Sequence, residues 1–194
     1  NSGGYPLIVL APSSVETCES LTVEAFSLAK RFRCPVILLT DKELNLTQAT
    51  VDVSQIGTVV ESEDRASEAC AVGKVAGWIS FGGSTPVRFT GSTHDPEGMI
   101  TKDPAEIDRL NRGLWDKIMA HRDTLERAEV DAEPEAETLL VSFGTASGAM
   151  WEGLMLARRS GKRAAAIALQ SLWPVPERML RRAADGVSRV VVGE

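Results

Sequence analysis

Alternating strand and helix patterns occupy the N-terminal end of the chain. Residues 6–11 form a continuous apolar run, which is typical of a strand covered on both faces. Apolar residues then recur at helical spacing over 15–32, and residues 35–40 form a second apolar run. This order favours two parallel strands joined by a right-handed crossover. Ser13 and Glu16 have the spacing of a capping box, so we expect Ser13 to begin the helix.

The same alternation returns at the C-terminal end. Residues 138–143 and 164–169 predict buried strands, and residues 149–160 predict the helix between them. A short helix over 176–184 and a third strand over 187–192 follow. This β-α-β-α-β order is typical of an open α/β sheet.

The middle of the chain carries one strong helix signal. Asp103, Pro104 and Glu106 have the pattern of a helix N-terminus, and an amphipathic helix follows. Residues 84–101 show no period, so we expect an ordered loop there. The stretch 126–137 is acidic and rich in alanine, and we interpret it as a linker between two units.

Composition narrows the class of protein. The 194 residues are 43% hydrophobic and 25% charged, as in ordinary globular proteins. The net charge of -6 argues against a nucleic-acid partner. No apolar run approaches the roughly 18 to 20 residues of a membrane span, so we expect no membrane association. Three widely spaced cysteines without a C-x-x-C pair indicate reduced thiols of a cytoplasmic protein rather than a metal site.

Two segments hold residues that could carry chemistry. Gly144, Thr145, Ser147 and Gly148 follow a strand and open a helix, where free backbone N–H groups can hold an anion. Their spacing matches neither a dinucleotide fingerprint nor a Walker A motif, so they are weak candidates. A plain strand-to-helix turn remains the alternative.

The second segment is the loop that contains Arg88, Thr90, His94 and Asp95. Asp95 could orient the His94 imidazole, and Arg88 could pair with a carboxylate. These four residues are candidates for an interface or for a place near a substrate, and a loop-stapling role is the alternative. The chain has no G-x-S-x-G and no H-E-x-x-H, so the residues alone do not identify a reaction or a metal site.

Six strings resemble, in chain order, the alpha subunit of 2-oxoacid:ferredoxin (acceptor) oxidoreductases. Three lie near the start of the chain, one in the loop and two in the last third: 7–15, 21–29, 33–41, 87–98, 136–144 and 172–177. The resemblance implies an α/β fold in which the end of a thiamine-diphosphate-binding, pyrimidine-type domain is followed by part of a transketolase C-terminal-like parallel-sheet domain. The implied divisions are 1–45 for the first domain, 46–125 for a connector, 126–137 for the acidic linker and 138–194 for the last domain.

The resemblance also implies an activity. These enzymes oxidatively decarboxylate a 2-oxoacid to an acyl-CoA and pass the electrons to ferredoxin. The complete complex uses thiamine diphosphate, magnesium, an iron–sulfur cluster and CoA, and we expect this chain alone to bind none of them and to be inactive. Among 2-oxoacids, overall similarity favours 2-oxoglutarate.

The resemblance implies partners and an internal fragment as well. The partners are a beta subunit, ferredoxin and the 2-oxoacid, and a homodimer is compatible with it. The family's catalytic positions are expected upstream of Asn1, so none is assigned here, and this segment is expected to be structural and to dock subunits. Two alternatives remain open: the beta chain of a thiamine-dependent 2-oxoacid dehydrogenase, and a non-enzymatic α/β module that binds a small anion.

Overall fold

Two β-sheets organise the chain in the computed structural model, which describes residues 5–52, 54, 82–84, 92–95 and 99–194. The first sheet has the strand order β2-β1-β6, and the second has the order β3-β5-β4-β7. The strands are β1 (Ile8–Leu10), β2 (Val36–Leu38), β3 (Ala128–Asp131), β4 (Thr138–Phe143), β5 (Ala164–Leu169), β6 (Ser171–Trp173) and β7 (Arg189–Gly193). The helices are α1 (Val15–Phe32), α2 (Lys42–Leu46), α3 (Pro104–Met119), α4 (Arg122–Leu125), α5 (Ala146–Arg159) and α6 (Glu177–Ala183).

The first sheet contains the predicted parallel pair, β1 and β2, with α1 as the crossover. The helix begins one residue later than expected, because Ser14 and not Ser13 is its N-cap. The Thr17 N–H donates to Ser14 Oγ at 3.1 Å, and the Ser14 N–H donates to Thr17 Oγ1 at 2.8 Å. The Thr17 hydroxyl therefore completes the capping box in place of the expected Glu16 carboxylate.

The core of the first sheet draws on distant segments. Its buried side chains come from β1, α1, α3 and α4: Ile8, Leu10, Leu21, Leu28, Phe32, Ile118 and Leu125. Lys117 of α3 is only 4% exposed, and its Nζ donates to the carbonyl oxygen of Arg33 at 3.3 Å. A cation at the C-terminal end of α1 is stabilised by the helix dipole, so this contact fastens α3 to α1.

Helices cover both faces of the second sheet. The side chains of β5 alternate between them, as the period of a strand requires. Ala164 and Ala166 pack with Leu154 of α5, whereas Ala165 and Ile167 belong to the cluster that α6 covers. This arrangement gives a helix–sheet–helix sandwich, in which β4 is parallel to both β5 and β7.

Secondary structure differs from the prediction at several points. The expected linker contains a strand, because β3 pairs antiparallel with β5 from Ala128↔Leu169 to Asp131↔Ala166. Its acidic residues occupy a sheet edge, where Asp131 binds Arg158 through two hydrogen bonds of 2.9 and 3.0 Å. The expectation of a linker without regular structure was therefore wrong for Ala128–Asp131, since charged residues are tolerated on an edge strand.

Other boundaries shift by a few residues. α5 begins at Ala146 rather than at residue 149, and the long helix ends at Met119, where a break separates it from α4. Strand β6, which pairs antiparallel with β1, had no counterpart in the prediction. None of the helices in the described part of the chain is both long and apolar enough to span a membrane.

Candidate functional site

The segments that follow β1 and β2 in the first sheet contact the segments that follow β5 and β4 in the second. This junction between the carboxyl ends of the strands is the candidate site. Ala11 follows β1, and its N–H donates to the carbonyl oxygen of Gln170, which follows β5, at 2.8 Å. Asp41 lies beyond the end of β2, and Thr145 lies beyond the end of β4. In open α/β folds, ligands bind outside the carboxyl ends of the parallel strands, so this edge is where chemistry is expected.

Asp41 is shared between the two sheets. Its Oδ1 accepts from the Leu44 N–H at 2.7 Å and so caps α2. Its Oδ2 accepts from Thr145 Oγ1 at 2.7 Å and from the Thr145 N–H at 3.3 Å. These bonds, with the Thr145 hydroxyl as the largest cause, hold the pKa of the Asp41 carboxyl below its usual range. Asp41 is therefore an ionised internal ligand of the turn that opens α5.

The turn that was predicted as a weak anion site is closely bonded within the chain. Gly144 has φ of 61°, a left-handed conformation that glycine adopts without strain. The Ser147 N–H donates to the Gly144 carbonyl oxygen and the Gly148 N–H to that of Thr145, both at 3.1 Å. The Ser147 side chain is buried, and its Oγ accepts from Ser142 Oγ at 3.0 Å. The turn does engage a carboxylate, that of Asp41, and an external anion at Thr145 would compete with it.

Two of the four loop candidates can be placed. Arg88 and Thr90 lie outside the described residues, whereas His94 and Asp95 lie within them. Asp95 Oδ1 accepts from the Met99 N–H at 2.8 Å, and the Asp95 N–H donates to the Met99 carbonyl oxygen at 2.9 Å. The exposed His94 imidazole has its Nδ1 3.4 Å from the carbonyl oxygen of Ser92. Asp95 thus closes the loop onto Met99.

The described residues also offer no evident metal-binding group. Among them, no three His, Cys, Asp or Glu side chains are grouped so that they could hold a metal ion. Cys18 and Cys34 are free thiols. Burial raises the pKa of both thiols, and the Asp41 carboxylate raises that of Cys18 further. Neither is therefore activated as a nucleophile.

Glu126 is a second residue at the junction that the sequence did not single out. Its side chain is 1% exposed, although the sequence places it at the start of an acidic stretch. Its two carboxylate oxygens accept from the Arg178 N–H at 3.1 Å and the Met179 N–H at 3.2 Å, in the first turn of α6. A carboxylate at a helix N-terminus is favourable, so Glu126 anchors α6 to the end of α4. No local pattern distinguishes Glu126 from its exposed acidic neighbours.

Comparison with known proteins supports the resemblance found in the sequence. No family model matches the chain. The 2-oxoglutarate synthase subunit KorA of Methanothermobacter marburgensis is 31% identical over 203 residues, which cover 99% of this chain and 53% of that subunit. The alpha subunit of 2-oxoacid:ferredoxin oxidoreductase 2 from Aeropyrum pernix is 30% identical, and the matched residues make up 99% of this chain and 32% of that subunit. The chain therefore spans about half of the first of these relatives and a third of the second.

A solved structure shares the fold. The 2-oxoglutarate:ferredoxin oxidoreductase from Magnetococcus marinus, with 2-oxoglutarate, coenzyme A and succinyl-CoA bound, superposes with a TM-score of 0.79. The sequence identity is 22%, and the match covers 96% of this chain and 34% of that one. The match runs through both sheets, so the mixed α/β fold is that of a segment of this neighbour.

Proposed function

We propose, from the premise that this chain is homologous over 99% of its length to alpha subunits of 2-oxoacid:ferredoxin oxidoreductases, that it forms part of such a subunit. In the complete complex, a 2-oxoacid and CoA would be converted to an acyl-CoA and carbon dioxide, and the electrons released would reduce ferredoxin. One observation carries the proposal: the similarity is continuous along the chain and includes both sheets, rather than a single motif.

The proposed substrate is 2-oxoglutarate. The M. marburgensis relative is a subunit of a 2-oxoglutarate synthase, and the M. marinus neighbour is a 2-oxoglutarate:ferredoxin oxidoreductase with that acid bound. The A. pernix relative carries the broader description of a 2-oxoacid oxidoreductase. All three proteins act on 2-oxoacids by their names, and two of the three on 2-oxoglutarate.

Within that subunit, the proposed role of this chain is to align two domains and to dock neighbours. Residues 1–45 would end a pyrimidine-type thiamine domain, and residues 138–194 would begin a transketolase C-terminal-like domain. Residues 46–125 would connect them, and β3 (Ala128–Asp131), which lies within 126–137, would join the last domain because it pairs with β5. The loop with Arg88, Thr90, His94 and Asp95 remains a candidate for an interface or for a place near the substrate.

The described residues do not fit the family's metal-containing cofactors. An iron–sulfur cluster needs several thiolates in one place, and Cys18 and Cys34 lie on opposite ends of α1. Among the described residues, no three His, Cys, Asp or Glu side chains lie together so that they could hold a metal ion. We place thiamine diphosphate, magnesium and the cluster elsewhere in the proposed complex, with its beta subunit as the main partner.

The test uses the longest polypeptide that carries this sequence, purified together with its partner subunits. Reduction of a ferredoxin or a viologen dye is followed with CoA and, in separate assays, 2-oxoglutarate, pyruvate or a branched-chain 2-oxoacid. We expect dye reduction that requires CoA and is fastest with 2-oxoglutarate. Reduction of NAD in place of ferredoxin and viologen would contradict the family assignment, and a faster rate with another 2-oxoacid would correct the substrate alone.

A further inference from the structure

We infer that the contact between Asp41 and Thr145 is a latch, which closes the exposed side of the junction between the two sheets while the buried side acts as a hinge. The inference concerns the motion of this chain and does not depend on the reaction proposed above. It rests on the different construction of the two sides of the junction.

The hinge side is buried and is held by backbone. Ala11 is 0% exposed, and its N–H bonds to the Gln170 carbonyl oxygen. Directly after Gln170, β6 pairs with β1 through Val9↔Trp173. Ser171 is also 0% exposed, and its Oγ accepts from the Arg127 N–H at 2.9 Å. Buried backbone hydrogen bonds are costly to open, so this side holds the sheets together.

The latch side is held by one side chain. Thr145 is exposed, Asp41 is half-buried, and the bonds between them are those of a single carboxylate oxygen. Because water reaches both partners and competes for them, this hydrogen bond contributes less to stability than the same bond would if it were buried. Thermal opening on this side should therefore be frequent compared with opening at the hinge.

The carboxylate of Asp41 also couples the latch to a local helix. Oδ1 caps α2, which has only 5 residues, while Oδ2 binds Thr145. A helix this short has little stability of its own and depends on its cap. When Oδ2 leaves Thr145, the orientation of the carboxylate is no longer fixed, so α2 and the turn at Thr145 should loosen together.

Hydrogen exchange of the full chain, followed by mass spectrometry, tests the latch. Asp41→Asn keeps an oxygen for the Leu44 N–H but removes the charge and turns an NH₂ group toward the Thr145 N–H, which leaves only a neutral hydrogen bond to Thr145 Oγ1; it therefore weakens the latch and spares the cap. Thr145→Val removes the hydroxyl in a residue of the same shape, and Thr145→Ser restores it. Asp103→Asn is the matched control, because Asp103 caps α3 through one oxygen, which accepts from the Ala105 N–H at 2.8 Å.

We expect Asp41→Asn and Thr145→Val each to speed exchange about 3- to 10-fold in both α2 and residues 143–148, as the loss of one modest hydrogen bond predicts. The exchange rates of peptides that contain β1 and β6 should be unchanged. Thr145→Ser should restore the original rates, and the double variant should exchange no faster than either single one, because both act on the same contact.

Four results would overturn the latch. Faster exchange in α2 alone would show that Asp41 is only a local cap. Faster exchange throughout, including β1 and β6, would show a general loss of stability without a hinge. Additive effects in the double variant would show that Asp41 and Thr145 act separately. An equal response to Asp103→Asn in α2 would show that the assay reports overall stability.

Discussion

The first sheet is assembled from distant parts of the chain, whereas all strands of the second sheet lie in the C-terminal part, where β6 alone is given to the first sheet. The three strands of the first sheet have 3 residues each, and β6 lies in the sequence between β5 and β7 of the second sheet. Its core includes Ile118 and Leu125, which lie far from β1 along the sequence. By contrast, the second sheet uses the chain from Ala128 to Gly193, and β4 and β5 have 6 residues each.

This difference shows that the two sheets are not independent folding units. The first sheet buries its apolar side chains only with help from α3, α4 and β6, so its stability depends on segments that adjoin the second sheet. Strands this short have too few hydrogen bonds to persist alone. The first sheet therefore lacks a complete core formed by neighbouring parts of the sequence alone.

The largest expected effect comes from Phe32→Ala. Phe32 is 0% exposed and lies in the first core, so its removal should lower the free energy of unfolding by about 3 to 5 kcal/mol. The control Phe26→Ala, on the same helix at 65% exposure, should cost less than about 1 kcal/mol. Urea unfolding followed by circular dichroism and by tryptophan fluorescence should give one shared transition. A transition of the second sheet that stays at its original urea concentration would show that the two sheets unfold independently.

Two glycine substitutions near the junction should change the stability of the protein in opposite directions. Gly144→Ala places a side chain at φ of 61° and should cost about 1 to 2 kcal/mol. Gly148→Ala lies inside α5, where an added Cβ meets nothing within 4 Å, and should stabilise by up to about 1 kcal/mol. Comparison of the thermal unfolding midpoints of the two variants with that of the parent chain measures both effects. Equal losses for both would show that the whole turn, and not Gly144 alone, requires glycine.

The smallest effect is a pH-dependent one on the second sheet. Hydrogen bonds from Arg181 and then Arg122 hold the pKa of the Glu177 carboxyl below its usual value. Its contribution to stability is therefore present above the ordinary carboxyl pKa of about 4.3 and is lost as the pH falls through the lower folded value.

Glu177→Gln should accordingly unfold at lower urea than the parent chain at neutral pH, and the gap should narrow below about pH 4.3. Glu129→Gln, on the exposed edge strand β3, is the control and should show little gap at either pH. A gap for Glu177→Gln that persists in acid would mean that Glu177 contributes through packing rather than through its charge.

The sequence predicted the second sheet better than the first, for a physical reason. Residues 138–143 and 164–169 are strands as predicted, because each is a long apolar run that two helical layers cover. Strand β3 was mistaken for a linker, since an edge strand needs no apolar pattern once a buried neighbour supplies its hydrogen bonds. β6 was missed because 3 residues beside β5 carry too little periodicity.

The junction was the least predictable part. The sequence predicted a turn that could hold an anion at Gly144, Thr145, Ser147 and Gly148. No sequence pattern near Asp41 indicates that its carboxylate binds this turn. Contacts between residues this far apart in sequence depend on how the two sheets meet. The resemblance to a family, carried by strings in both halves, was confirmed over 99% of the chain because it does not depend on such contacts.

The pairing of Val9 with Trp173 has a consequence for the order in which the chain can fold during synthesis. Strand β1 leaves the ribosome before its antiparallel neighbour β6, which is made only after β3, β4 and β5. Until then β1 has an open edge, and such an edge is a template for unwanted pairing with other chains. Strands β3, β4 and β5 can pair with one another before β6 is made, so the first sheet is expected to be completed only after most of the second sheet has formed.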